Sequence, residues 1–138
     1  MRGMSLIVKT VSALVSAFAL LFGLHVVFYG HASPGGGFAG GVILACCFIL
    51  MVLAFGRSFV DRFIGQRVPS VCGSIGALAF LFIALAGYTA GHFLSNFLVP
   101  AAKAYGGTIL ACDVAIAVLV ASCLFGVFAA FAVFRPEE

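Results

Sequence analysis

The stretch Gly30-His31-Ala32-Ser33-Pro34-Gly35-Gly36-Gly37-Phe38-Ala39-Gly40-Gly41 lies between two long apolar runs. Six of these twelve residues are glycine, so the backbone is free to take positive φ and can come very close to a neighbour. Pro34 has no amide proton and suits the first turn of a helix, and Ser33 before it is a good N-cap. The stretch reads as a polar turn that opens a helix, followed by a glycine face on that helix. Gly36/Gly40 and Gly37/Gly41 are each four apart, and Ala45 extends the second row. That is the small-xxx-small spacing of tight helix contact in lipid. A phosphate cradle would need a preceding strand and a following Lys-Ser/Thr, and neither is present.

Working outward, apolar runs cover about residues 5–29, 38–55, 69–91 and 107–134 of the 138, each near the roughly 20 residues that cross a bilayer as helix. The chain is 64% hydrophobic and 8% charged, with a mean hydropathy of +1.30. A water-soluble domain of this length cannot hide that much apolar surface. The expectation is a single all-α integral membrane domain over residues 1–138, a bundle of four transmembrane helices. The first run is too long for a signal-peptide core and no A-x-A follows it, so it reads as a permanent span. A formal charge of +3 is too small and too dispersed to argue for nucleic acid.

An even number of spans puts both termini on one side. That side holds Arg2, Lys9, Arg57, Arg62, Arg67 and Arg135, and the other holds only Lys103. The positive-inside rule then predicts cytoplasmic termini, with the glycine turn and the loop over residues 93–106 facing outward. Tyr29, Tyr88 and Tyr105 fall near that outer interface as an aromatic belt. Between the second and third spans, Arg57 and Asp61 stand four apart among Phe59 and Phe63. This reads as an interfacial half-helix against lipid phosphates, with a cytoplasmic partner as the sharper alternative.

Asp113 is the only acid inside a predicted span. A carboxylate at mid-helix costs about 2.5–3.5 kcal/mol on insertion scales, so it faces a bundle interior, water or a partner. It lies about 9 Å past Gly107 at helical rise, and His25 about 6 Å before Tyr29. Two readings stand. Asp113 and His25 share a polar pocket on an ion path that a proton or Na+ visits. Or Asp113 caps a neighbouring helix, or pairs with a base of another subunit, purely for assembly. His31 either closes the outer turn by hydrogen bonding or senses outer pH. A haem held by His25 and His92 has no supporting motif.

Cys46, Cys47, Cys72, Cys112 and Cys123 all lie within spans without a C-x-x-C, and read as small apolar fillers. No metal spacing and no nucleophilic triad is arguable, so no cofactor, metal or catalytic site is expected. Phe125, Phe128, Phe131 and Phe134 form a stripe for packing or lipid contact. Small residues recur at spacing four in Gly73/Ala77, Gly87/Gly91, Ala111/Ala115, Ala117/Ala121 and Gly126/Ala130. Their spread over several faces predicts that other membrane subunits pack against this chain.

The glycine stretch resembles the G-H-x-S/T-P-G-G-G-F-x-G-G signature of the B subunit of Mrp (also called Mnh) multisubunit Na+/H+ antiporters. Thr108-Ile-Leu110-Ala-Cys-Asp113-Val114-Ala-Ile is similar to that family's T-x-L-x-x-D-[IV]-G-V region, with Ala115 where the family often has glycine and Ala117 where it often has an aromatic. The resemblance covers nearly the whole chain. It implies a non-catalytic subunit in the cell (inner) membrane, within a complex that exchanges cytoplasmic Na+ for external protons. It also implies that Gly30, His31, Ser33, Pro34, Gly35, Gly36, Gly37, Phe38, Gly40 and Gly41 form a subunit-packing motif. The same module in membrane-bound hydrogenases, within a Na+-translocating part, is the alternative setting. A self-sufficient small exporter is disfavoured, because such proteins carry their acid in the first span and this one carries it in the fourth.

Overall fold

The computed structural model describes residues 4–32, 35–56, 65, 67–89, 91 and 107–133, the side chain of Val133 excepted. Four helices account for nearly all of them: α1 Leu6–Phe28, α2 Gly36–Phe55, α3 Val68–Thr89 and α4 Thr108–Val133. All four are long and apolar enough to cross a membrane, and there is no strand among the described residues. In hydrocarbon the backbone has no water to bond, so each span closes its hydrogen bonds within itself as helix. Most of the basic, interfacial loop of the sequence reading, including Arg57, Phe59, Asp61 and Phe63, lies outside the described residues. So do His92, Lys103, Tyr105, Phe134 and Arg135.

The helix ends follow local chemistry. α1 stops at Phe28, where the Tyr29 amide bonds the His25 carbonyl and the Ala32 amide bonds the Tyr29 carbonyl in a turn. α2 stops at Gly56, whose φ of +86° no side chain tolerates well. At its start, α2 begins at Gly36, two residues earlier than the apolar run suggested, with Gly35 in the N-cap position and no side-chain cap from it. The expected cap, Ser33, and Pro34 lie outside the described residues. Gly36 and Gly37 enter the helix as the small-residue rows implied, and its first amides need a partner from elsewhere.

The expected bundle is open. The principal contacts run α1–α2, α2–α4 and α4–α3, with only a slight touch between α1 and α4. The fourth helix thus sits between the second and third, and α3 joins the rest through α4. Glycines make each seam. A methyl at Gly40 on α2 would strike Cγ2 of Val27 on α1 and stand 3.1 Å from the Gly23 carbonyl oxygen. On the other side of α2, Gly37 lies on the Asp113 carbonyl and Gly41 on Ala117 of α4. Farther along the same seam, Phe48 meets Phe125 edge to face with centroids 6.1 Å apart. On α3, Gly76 packs against Ala115 and Leu119 of α4, and Gly73 against Ser122.

The motif expected to pack other subunits therefore packs this chain's own helices at Gly37, Gly40 and Gly41. Gly73, Gly76, Ala84 and Gly87 of α3 and Ala115 and Ala117 of α4 are likewise buried inside the chain. Of the phenylalanine stripe, Phe125 is buried and Phe131 exposed. Cys47 is buried, Cys46 and Cys123 are exposed, and all five cysteines are free thiols.

Candidate functional site: the Asp113 clasp

Asp113 sits in the second turn of α4, about 8 Å from its start at 1.5 Å per residue. Its Oδ1 accepts a hydrogen bond from the Gly37 amide at 3.2 Å. A helix leaves its first amides unsatisfied and carries partial positive charge at that end. With no cap from Gly35, the carboxylate of another helix supplies both the acceptor and the counter-charge. A local N-cap is worth about 0.5–2 kcal/mol in water, and here the alternative is an open helix end at membrane depth.

Gly30 and Gly37 let the carboxylate in, and Gly36 lies beside it in ordinary contact. A methyl at Gly36 would stand 3.4 Å from Oδ1, and one at Gly30 would stand 2.8 Å from Oδ2. One at Gly37 would collide with the Asp113 carbonyl oxygen. Because Gly37 is level with Asp113, α2 starts more than a turn deeper than α4. Oδ2 has no hydrogen bond among the described residues.

His25 is elsewhere. It is exposed, and its ring stacks on Tyr29 with centroids 4.5 Å apart. The α1 residues that meet α2 are Gly23 and Val27, on the opposite side of the helix. The shared pocket expected of Asp113 and His25 is thus not formed: helical phase turns the two side chains away from each other. His31 stacks on Tyr29 at 6.5 Å. Its Nδ1 is buried and has no hydrogen-bond partner among the described residues. Phe38 is exposed on α2. No cluster of three metal-ligating side chains occurs among the described residues.

Both quoted motifs therefore meet at one point, the glycine turn on the aspartate of the last helix. A family described as a domain related to the MnhB subunit of Na+/H+ antiporters matches residues 7–126, which include both. The chain belongs to the MnhB family. Among its relatives, a protein of Staphylococcus saprophyticus named for the antiporter subunit mnhB2 is 37% identical over 83 residues, 59% of this chain and 57% of that one. Its namesake in Staphylococcus aureus strain Newman is 49% identical over 55 residues, 40% of this chain and 39% of that protein. An uncharacterised protein of Methanocaldococcus jannaschii is 36% identical over 92 residues, 66% of this chain and 35% of the other. The MnhB-type chain thus aligns with between a third and three fifths of the length of these relatives.

Sequence reasoning found Asp113 and the glycines but not their pairing across 76 residues of chain. It also missed Gly30 as part of the cradle. The usable signal was the run Gly35-Gly36-Gly37, which offers amides with no side chain to cap them.

Proposed function

We propose that this chain is a small, structural membrane subunit of a multisubunit Na+/H+ antiporter, supporting Na+ and pH homeostasis, with both termini cytoplasmic and the glycine turn outward. The observation that carries the reading is the Asp113–Gly37 clasp. It joins the two family motifs in a contact that shapes the protein rather than performing chemistry. The companions are other membrane subunits of an Mrp-type complex. The relatives named as antiporter subunits favour this over a hydrogenase-type assembly. The proteins that co-purify in mild detergent discriminate the two.

A second reading makes Asp113 a contact for the moving proton or Na+. Oδ2, which has no hydrogen bond among the described residues, favours it. His25 is exposed on the side of α1 away from α2, so this reading rests on Asp113 alone.

Substitution at Asp113 separates them. Asp113→Asn keeps an oxygen for the Gly37 amide but loses the charge, and Asp113→Leu loses both. A structural clasp predicts normal assembly and near-normal Na+-dependent proton transport for Asn, with assembly lost for Leu. Normal assembly with transport abolished in Asn would overturn the purely structural reading and establish the ion contact.

A further inference from the structure

Val11, Leu14, Phe18, Leu21, His25 and Phe28 recur along α1 at alternating steps of three and four. That rhythm lines them up as one seam. The seam faces away from α2, since Ser12, Ser16, Gly23 and Val27 are the buried residues of α1. Its five apolar members are each more than half exposed, and His25 is exposed with them.

A lipid-facing surface needs apolar residues but has no use for an imidazole. His25 lies one helical turn, about 6 Å, inside Tyr29. Its ring stacks on that tyrosine but makes no hydrogen bond among the described residues. Left against acyl chains, it loses water and gains no partner. A single polar position in an apolar seam is also the device by which helices fix partner and register. The described spans of this chain hold one acid, Asp113, and it is tied to Gly37 on α2. Among the described residues no acid is left for His25, which points to one on another chain. A carboxylate complements it best, because it accepts from either ring nitrogen and balances the charged form.

We propose that this seam docks a transmembrane helix of a companion subunit, with a carboxylate of that helix against His25. The proposal rests on the reading of the chain as one subunit of a membrane assembly. The test uses cells expressing the full set of subunits. Benzoylphenylalanine replaces Leu14 or Leu21, adducts are formed by light in the membrane, and the joined peptides are mapped by mass spectrometry. Both positions should join the same membrane helix of one companion, and that helix should carry an Asp or Glu. His25→Leu should lower adduct yield and companion recovery about fivefold, while His25→Gln, which keeps a donor, should hold both within about twofold.

Adducts to lipid alone, or to a second copy of this chain, would overturn the proposal if companions still co-purify. So would a mapped helix without an acid, or a His25→Leu protein that matches wild type. Failure of any companion to co-purify with the unmodified chain would instead defeat the subunit reading, and this proposal with it.

Discussion

At the scale of single residues, glycine matters here for what it leaves room for. Gly37 rests on the backbone of Asp113, so no rotamer change can make space there. Gly37→Ala should force α2 and α4 apart at a cost of about 1–3 kcal/mol, the usual penalty of overpacking. Gly41 has Ala117 and Val120 against it, the nearest atom 2.8 Å from an added methyl. Leucine at both positions should abolish assembly and salt tolerance in cells that depend on the complex. Unchanged growth in high salt would refute the seam. Gly56 is the contrasting case. No described residue stands within 4 Å of an added methyl there, but its φ is +86°, so Gly56→Ala should cost about 1–2 kcal/mol through backbone strain. Thermal unfolding of the detergent-solubilised complex ranks the three. His25 and Asp113 teach a related point. Both are polar residues inside apolar helices, and the phase of α1 leaves His25 exposed while Asp113 meets the start of α2.

At the scale of helices, the existence and type of every element could be read from hydropathy alone. Four apolar runs became four helices, with ends within a few residues of expectation. The exception is the start of α2. The sequence pointed to Ser33 and Pro34 as a local cap, whereas the helix begins at Gly36 and its amide partner lies on α4. Local pattern reading misses a cap supplied from a distant part of the chain. The seam between α2 and α4 combines this polar clasp near one end with the Phe48–Phe125 contact farther along. Apolar burial drives little association in lipid, so close packing at Gly37 and Gly41, the Asp113 hydrogen bond and the ring contact hold this seam together. A double-mutant cycle of Phe48→Ala and Phe125→Ala should give a coupling of about 0.5–1.5 kcal/mol, read from thermal stability of the complex. A coupling of zero would mean that the rings merely share space.

At the scale of the whole molecule, the order of neighbours is α1, α2, α4, α3. A cysteine at Gly73 would place its Cβ 3.5 Å from that of Ser122, within the range a disulfide spans. With the five native cysteines replaced, Gly73→Cys with Ser122→Cys should oxidise readily in native membranes. Cysteine pairs drawn from α2 and α3 should not. A strong α2–α3 crosslink would show a closed bundle instead of an open row. The open row also bears on function, because it leaves α1 and α3 with long exposed faces at its two ends. The sequence anticipated contact with companions but assigned it to the glycines, which the chain uses internally. The large side chains of α1 and α3 are the ones left facing out.

Taken alone, the sequence determined that this is a four-span helical membrane protein of the MnhB family. Those properties depend on stretches of apolar length and on a motif of adjacent residues, both of which are local. Only the tertiary structure decided which helix each glycine serves, that Asp113 closes the start of α2, and that His25 faces away. A glycine has no side chain to show its direction. In hydrocarbon, apolar residues on the inside and the outside of a helix look alike, so composition cannot orient a span.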